Sequence, residues 1–183
     1  MKILMHMCCA PCAVYPSEKL IEDKNEVFGL FFNPNIHPIE EYQKRRTTLQ
    51  EFSKISNIAV EFIDGFMQSE WETFKGTGDE RCEMCYNIRL QLAAKYALDN
   101  GFDAYTTSLL VSPYQKHDLI KALGEKIGNY VGIPFYYEDF RTGYRQGQQK
   151  AKELGLYRQK YCGCIVSYNE TILPKLNLKT KSQ

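Results

Sequence analysis

The chain reads as an α/β protein, a three-layer α/β/α sandwich around a mainly parallel sheet of about four or five strands. Three observations predict it. Short apolar runs alternate with longer helix-like segments, the pattern of βαβ units joined by right-handed crossovers. The segment lengths suit strands and helices in turn. The length, 183 residues, suits one compact domain spanning 1–183 with a sizeable core.

The elements follow in order. Lys2 to Met7 is a short apolar run and reads as a buried strand. Pro11 to Asp23 reads as a helix, with Pro11 in its first turn, where a missing N–H costs nothing. Val27 to Phe32 is a second apolar strand, and the Asn- and Pro-rich stretch after it is a loop. Ile39 to Ser53 is helical and Ile58 to Ile63 is a third strand. Cys85 to Asn100 places Ile88, Leu92 and Tyr96 on one helical face, with Gly101 as its stop. Tyr105 to Leu110 is a strand. Ser112-Pro113 reads as an N-cap and first-turn proline opening a helix to about Val131. Pro134 to Tyr137 is a short fifth strand, and Gly143 to Leu154 a polar helix ahead of a basic stretch. There is no internal repeat, low-complexity tract or linker. Only Thr180 to Gln183 is expected to be disordered.

Composition narrows the function classes. Hydrophobic residues make up 44% and charged residues 25%, as in soluble globular proteins. The apolar run at the start is only about six residues, far short of the ~20 that span a bilayer, and no signal-peptide cleavage pattern follows it. A cytoplasmic protein with reduced thiols and no membrane partner is expected. Net charge is +1 but segregated: residues 1–140 carry 14 Lys and Arg against 20 Asp and Glu (net −6), and residues 141–183 carry 9 against 2 (net +7). A basic segment of this kind suits a polyanion such as RNA, and equally a solvated tail with a basic helix face.

All seven cysteines fall in three groups: Cys8-Cys9-x-x-Cys12, Cys82-x-x-Cys85 and Cys162-x-Cys164. A single cysteine is usually a small buried hydrophobe, but seven confined to such spacings are not scattered core residues. Short spacing lets several thiolates converge on one metal at little loop-closure cost, and a reducing compartment disfavours disulfides. The first group lies where a strand ends and a helix begins, at the carboxyl edge of the sheet where open α/β sheets hold ligands. Helix N-termini also favour thiolates, and the second group is expected in the same relation to its helix. Structural zinc needs four thiolates. Seven point to a larger inventory, such as a 4Fe-4S cluster on four cysteines, with three left for another metal or a redox pair. Neither C-x-x-C alone, read as a thioredoxin-like motif, explains the other five thiols. No GxGxxG and no GxxxxGK[ST] is present, so no bound dinucleotide and no P-loop phosphate site is expected. Of the three histidines, His6 lies in a strand as a core residue, and His37, in a loop before a proline, is the one expected to face the active edge.

Six blocks give these features a wider context: HMCCAPC at 6–12, NPNIHPIEEYQKR at 33–45, ERCEMCYNIRL at 80–90, TTSLLVSPYQKHDLI at 106–120, YYEDFR at 136–141 and YRQKYCGC at 157–164. In combination and in order they resemble the epoxyqueuosine reductase QueH family; the chain is short for it, with no extra domain expected. The resemblance implies the last step of tRNA queuosine biosynthesis, reduction of the epoxide of epoxyqueuosine in tRNA to queuosine and water without cobalamin. It implies a 4Fe-4S cluster beside a further metal ion, iron with zinc as the alternative, held by Cys and an Asp. It also implies a fold related to adenine-nucleotide α-hydrolase-like (PP-loop-like) sandwiches, with CCAPC in place of SGGxDS, so ATP use is not expected.

On this basis Cys8, Cys9, Cys82 and Cys85 are candidate cluster ligands. The full metal-binding set is Cys8, Cys9, Cys12, Cys82, Cys85, Cys162, Cys164 and, as carboxylate, Asp139. Tyr86, Tyr114, Tyr161 and His37 are candidate proton donors. Arg141, Arg145, Arg158 and Lys160 are candidate tRNA contacts, and Arg81 and Arg89 flank the second cysteine group, to tune the metal site or hold substrate. An external electron donor is required. Two other functions use the same features: iron–sulfur tRNA sulfur transfer, which needs an ATP site, and a zinc-stabilised RNA-binding module.

Overall fold

The computed structural model describes the backbone of residues 1–180 and the side chains of residues 1–178. The expectation for Thr180 to Gln183 falls outside the described residues, save for the backbone of Thr180, which ends the last helix.

Four strands, β1 (Lys2–His6), β2 (Glu26–Phe31), β3 (Val60–Phe62) and β4 (Ala104–Thr107), form one sheet in the order β3-β2-β1-β4. Every pairing is parallel: Ile3 lies beside Val27 and Ala104, and Leu30 beside Glu61. The central strand is covered on both sides, so Ile3, Leu4 and Met5 are all fully buried. Its one buried polar residue, His6, is satisfied by Thr107 Oγ1 at 2.9 Å and the Phe32 carbonyl at 3.2 Å, as a core histidine must be.

Helix α1 (Ala10–Glu22) carries the chain from β1 to β2, and α2 (Ile39–Ser56) from β2 to β3. The short α3 (Gln68–Glu72) and long α4 (Gly78–Asp99) lead to β4; α5 (His117–Val131) and α6 (Tyr144–Glu153) follow, then α7 (Ile165–Thr171) and α8 (Leu173–Thr180). With right-handed crossovers, stepping from β1 to β3 in one direction and back across to β4 puts α1 and α2 on one face and α4 on the other. Helix α6 packs on α1 and α5 packs on α4, which completes three layers. Among the described residues no helix is long and apolar enough to cross a membrane.

The structure differs from the sequence expectation at five places. The strand expected over Tyr105 to Leu110 ends at Thr107, and Ser108–Val111 form a 3-10 helix. The expected fifth strand is a single bridge, Tyr105 to Phe135. Helix α5 begins at His117, because Ser112 to Gln115 turn instead, with Ser112 Oγ accepting from the Tyr114 N–H at 3.3 Å. Strand β3 is reduced to three residues. Helix α4 starts seven residues early, at Gly78, because Thr77 and Glu80 form a capping box: Thr77 Oγ1 accepts from the Glu80 N–H at 3.2 Å, and Glu80 Oε2 from the Thr77 N–H at 2.7 Å.

Candidate metal centre

The strand order reverses between β1 and β4, and ligands of open α/β sheets sit beyond the carboxyl ends of the strands at such a switch point. Cys8 and Cys9 leave β1 there. Cys9 is the extended N-cap residue of α1 and Cys12 lies in its first turn. Across the gap the chain leaving β4 supplies Ser108, whose hydroxyl accepts from the Cys8 N–H at 3.1 Å and lies 3.5 Å from Cys8 Sγ. The sulfurs of Cys8, Cys9 and Cys12 all lie within 4.8 Å of one another, close enough to share one ion.

A cavity of about 480 Å³ opens above this group, and six of the seven cysteines line it. Cys9 alone lies behind, fully buried. Cys82 and Cys85 reach it from one helical turn of α4. The expectation that they sit at a helix N-terminus is corrected: the capping box displaces the helix start, so their thiols stand in later turns. Cys162 and Cys164 come from the basic segment before α7, with their sulfurs 3.8 Å apart. Cys85 and Cys164 pack together with Trp71 and Ile165 in a small apolar cluster.

Cys8, Cys9 and Cys12 thus form one close sulfur group, and Cys162 with Cys164 a close pair that Cys85 packs against. The expected cluster set of Cys8, Cys9, Cys82 and Cys85 draws on both sides of the cavity. Thiols this close share protons. Hydrogen bonding with Cys12 and Cys9 holds Cys8 well below the ordinary thiol range, while the same bond to Cys8 pushes Cys12 up and burial pushes Cys9 up. Cys164 likewise lowers Cys162 to about 5 and is itself raised, and burial pushes Cys85 up to about 11. Metal binding releases the shared protons.

Two arginines buried beside these sulfurs test whether the site suits an anionic metal group. Arg89, 3% exposed, directs its guanidinium to Cys85, donating to the carbonyl at 3.0 Å and to Sγ at 3.2 Å, with no carboxylate in ion-pair range among the described residues. A buried cation needs a counter-charge, and a thiolate-bound metal group supplies one. Gln159 Nε2 donates to Cys12 Sγ at 3.3 Å. Sulfur-rich donors with N–H groups aimed at them fit iron–sulfur or zinc binding.

Arg45, 2% exposed and absent from the sequence-derived candidates, positions the third cysteine group. It donates to the carbonyls of Tyr161 at 3.0 Å and Cys162 at 3.1 Å, while Glu41 Oε1 accepts from its Nε at 2.7 Å. Gly163 between the two cysteines has φ +129°, and a Cβ there would stand 3.2 Å from the Arg45 guanidinium, so glycine is required on both counts. The only sequence signal for Arg45 is its place in the 33–45 block.

The remaining candidates divide. His37 is buried and structural: its Nδ1 accepts from the Ile165 N–H at 3.1 Å, its Nε2 lies 3.0 Å from the Pro34 carbonyl, and its backbone N–H donates to the Gly163 carbonyl at 2.8 Å. It lines no part of the cavity, contrary to the expectation that it faces the active edge. Tyr161 lines the cavity but commits its hydroxyl to the His37 carbonyl. Tyr86 lines the cavity with its hydroxyl donating to Gln115 Oε1 at 2.7 Å, and burial raises its pKa. Tyr114 stands at the mouth, 81% exposed. Asp139 is not brought to the cavity: it caps a 3-10 turn and is held by Arg141 at 2.8 and 2.6 Å, which lowers its pKa to about 2. Arg141 is thereby paired. Arg145 and Arg158 are exposed, and Lys160 and Arg81 line the cavity.

Comparison with known proteins places this arrangement. A solved structure described as a predicted subunit of tRNA methyltransferase from Methanocaldococcus jannaschii superposes with a TM-score of 0.52 at 11% identity, covering 84% of this chain and 75% of that one, a likeness of fold alone. The epoxyqueuosine reductase QueH of Dehalococcoides mccartyi is 36% identical over 172 residues, covering 92% of this chain and 93% of the relative. That of Thermotoga maritima is 34% identical over 178 residues, covering 92% and 91%. The family model described as epoxyqueuosine reductase QueH matches residues 3–170, all three cysteine groups included, and the chain therefore belongs to the epoxyqueuosine reductase QueH family.

Proposed function

We propose that this protein reduces the epoxide of epoxyqueuosine in tRNA to queuosine, at an iron–sulfur and metal site and without cobalamin. The observation that carries the reading is the convergence of six cysteines on one cavity at the switch point, in a chain of this family. Deoxygenating an epoxide to an alkene consumes two electrons and two protons and releases the oxygen as water. When bound, a 4Fe-4S cluster supplies electrons singly and a second ion, iron or alternatively zinc, acts as a Lewis acid toward the epoxide oxygen.

The chain's own residues hold and orient. Cys82, Cys85, Cys162 and Cys164, which line the cavity from α4 and from the segment before α7, would hold the cluster. Cys8, Cys9 and Cys12, with mutually close sulfurs, would hold the single ion. Arg89 balances the charge of the first set and Arg45 fixes the Cys162–Cys164 turn. Tyr86 holds a proton at its hydroxyl, oriented by Gln115. Trp71 and Leu109 wall the cavity against water. Arg145, Arg158 and Lys160 meet tRNA phosphates, with Arg141 drawn off by Asp139. Electrons come from an external donor, in a cytoplasm that keeps the thiols reduced.

Anaerobic purification followed by conversion of epoxyqueuosine-bearing tRNA under a chemical reductant tests the reading. A brown protein with four or more irons per chain and turnover is expected. Iron-replete protein that leaves the epoxide intact refutes it, and a colourless protein holding zinc alone points to an RNA-binding module.

A further inference from the structure

The mouth of the cavity carries a feature that sulfur ligation does not use. Tyr114, on the turn before α5, is 81% exposed. Its backbone is pinned by Ser112. Its ring stands 5.9 Å from that of Tyr144, the first residue of α6, at an interplanar angle of 80°. Both rings line the cavity. Two cations line it beside them, Arg81 and Lys160, and neither has a carboxylate within ion-pair distance among the described residues. Lys116, also at the rim, is already paired with Asp79. Two aromatic rings at a cavity entrance flanked by unpaired cations is the composition with which proteins hold single-stranded nucleic acid: rings stack on bases, and cations meet phosphates. The cavity, about 480 Å³ in all, is far too small for a duplex, so a base reaches it only by leaving the stack.

We propose that Tyr114 and Tyr144, in edge-to-face contact, form an aromatic bracket whose outer ring face stacks on the extruded modified nucleobase of the RNA, with Arg81 and Lys160 meeting the flanking phosphates, so that Tyr114 serves binding and not proton delivery. This rests on the reading above that the substrate is a tRNA base. Among the described residues the exposed hydroxyl of Tyr114 has no partner that would orient a proton, in contrast to that of Tyr86.

The test separates ring from hydroxyl. Affinity for an anticodon stem-loop is measured by fluorescence anisotropy with iron-loaded wild type, Tyr114→Phe, Tyr114→Ala and Tyr144→Ala, with iron per chain and the visible spectrum recorded for each. Loss of stacking worth about 1–3 kcal/mol weakens binding about 5- to 150-fold. Tyr114→Ala is expected to fall in that range with unchanged iron content, and Tyr114→Phe to restore affinity to within twofold. Arg81→Gln and Lys160→Gln each lower the salt dependence of binding by about one counterion. An alanine variant that binds like wild type overturns the proposal. So does a Tyr114→Phe variant that keeps affinity but loses kcat, which assigns the hydroxyl to proton delivery. Because binding is read apart from turnover, wild type that binds RNA through Tyr114 yet leaves the epoxide intact refutes the reductase reading and leaves the bracket supported. Wild type without measurable RNA affinity overturns the bracket.

Discussion

Replacing Arg45 by methionine removes a buried cation that makes three directed hydrogen bonds. Two bonds hold the carbonyls of Tyr161 and Cys162, at 3.0 and 3.1 Å, and the third holds Glu41 at 2.7 Å. Hydrogen bonds to charged groups contribute about 1.5–3 kcal/mol each, and removing one member of a buried ion pair costs about 3–5 kcal/mol. Glu41 keeps one donor, the Tyr157 hydroxyl at 2.7 Å, which places Arg45→Met toward the lower end of that range. Arg45→Lys retains the charge but not the planar fork, and is expected to lose about half as much. The specific consequence is local: the Cys162–Gly163–Cys164 turn is no longer held against the cavity. Anaerobic iron and sulfide assays after reconstitution, beside urea unfolding of the metal-free chain, measure both effects. Arg45→Met is expected to load markedly less iron than wild type, and Arg45→Lys an intermediate amount. An Arg45→Met protein that takes up full iron with an unaltered spectrum and loses less than about 1 kcal/mol would refute the positioning role.

Two further outcomes follow from the same geometry. Thr77→Ala removes the capping box that starts α4 and is expected to cost about 1 kcal/mol by urea unfolding, leaving the midpoint unmoved only if the cap is unimportant. Burial holds His117 neutral, with a pKa below the ordinary 6.5. The unfolded chain therefore binds this proton more readily, so the stability His117 contributes is complete above pH 6.5 and is lost as pH falls below it. An NMR titration of the His117 imidazole should find a midpoint under 6.5, and one at or above that value contradicts its burial.

Much of the fold was legible because parallel strands buried on both faces must be apolar runs, and β1 and β2 are. What local pattern could not resolve was competition at element ends. Thr77-Gly-Asp-Glu80 spells a capping box, yet its glycine and acids read as loop until a helix is seen to start there. Ser112-Pro113 has the residues of a helix start but forms a turn that presents Tyr114. Pro134 to Tyr137 has strand character but lacks a partner beyond one bridge to Tyr105. In the site, cysteine spacing announced a metal centre, while the mutual approach of the Cys8, Cys9 and Cys12 sulfurs needed distances that spacing alone does not contain. Arg45 and Glu41 were invisible for the same reason: an arginine on a helix reads as solvated until Tyr161 and Cys162, more than 110 residues later, are seen to accept from it. Asp139 illustrates the converse, a plausible ligand whose neighbour two residues on has already claimed it.

The three cysteine groups lie near residues 10, 84 and 163 of the chain. A polypeptide emerging from the ribosome thus displays five thiols before the last two exist, and Arg45, already within reach of Glu41, lacks its two carbonyl acceptors until Tyr161 and Cys162 arrive. The sheet, whose last strand ends at Thr107, can be assembled by then. The sulfur-lined chamber therefore cannot close until nearly the whole chain has been made.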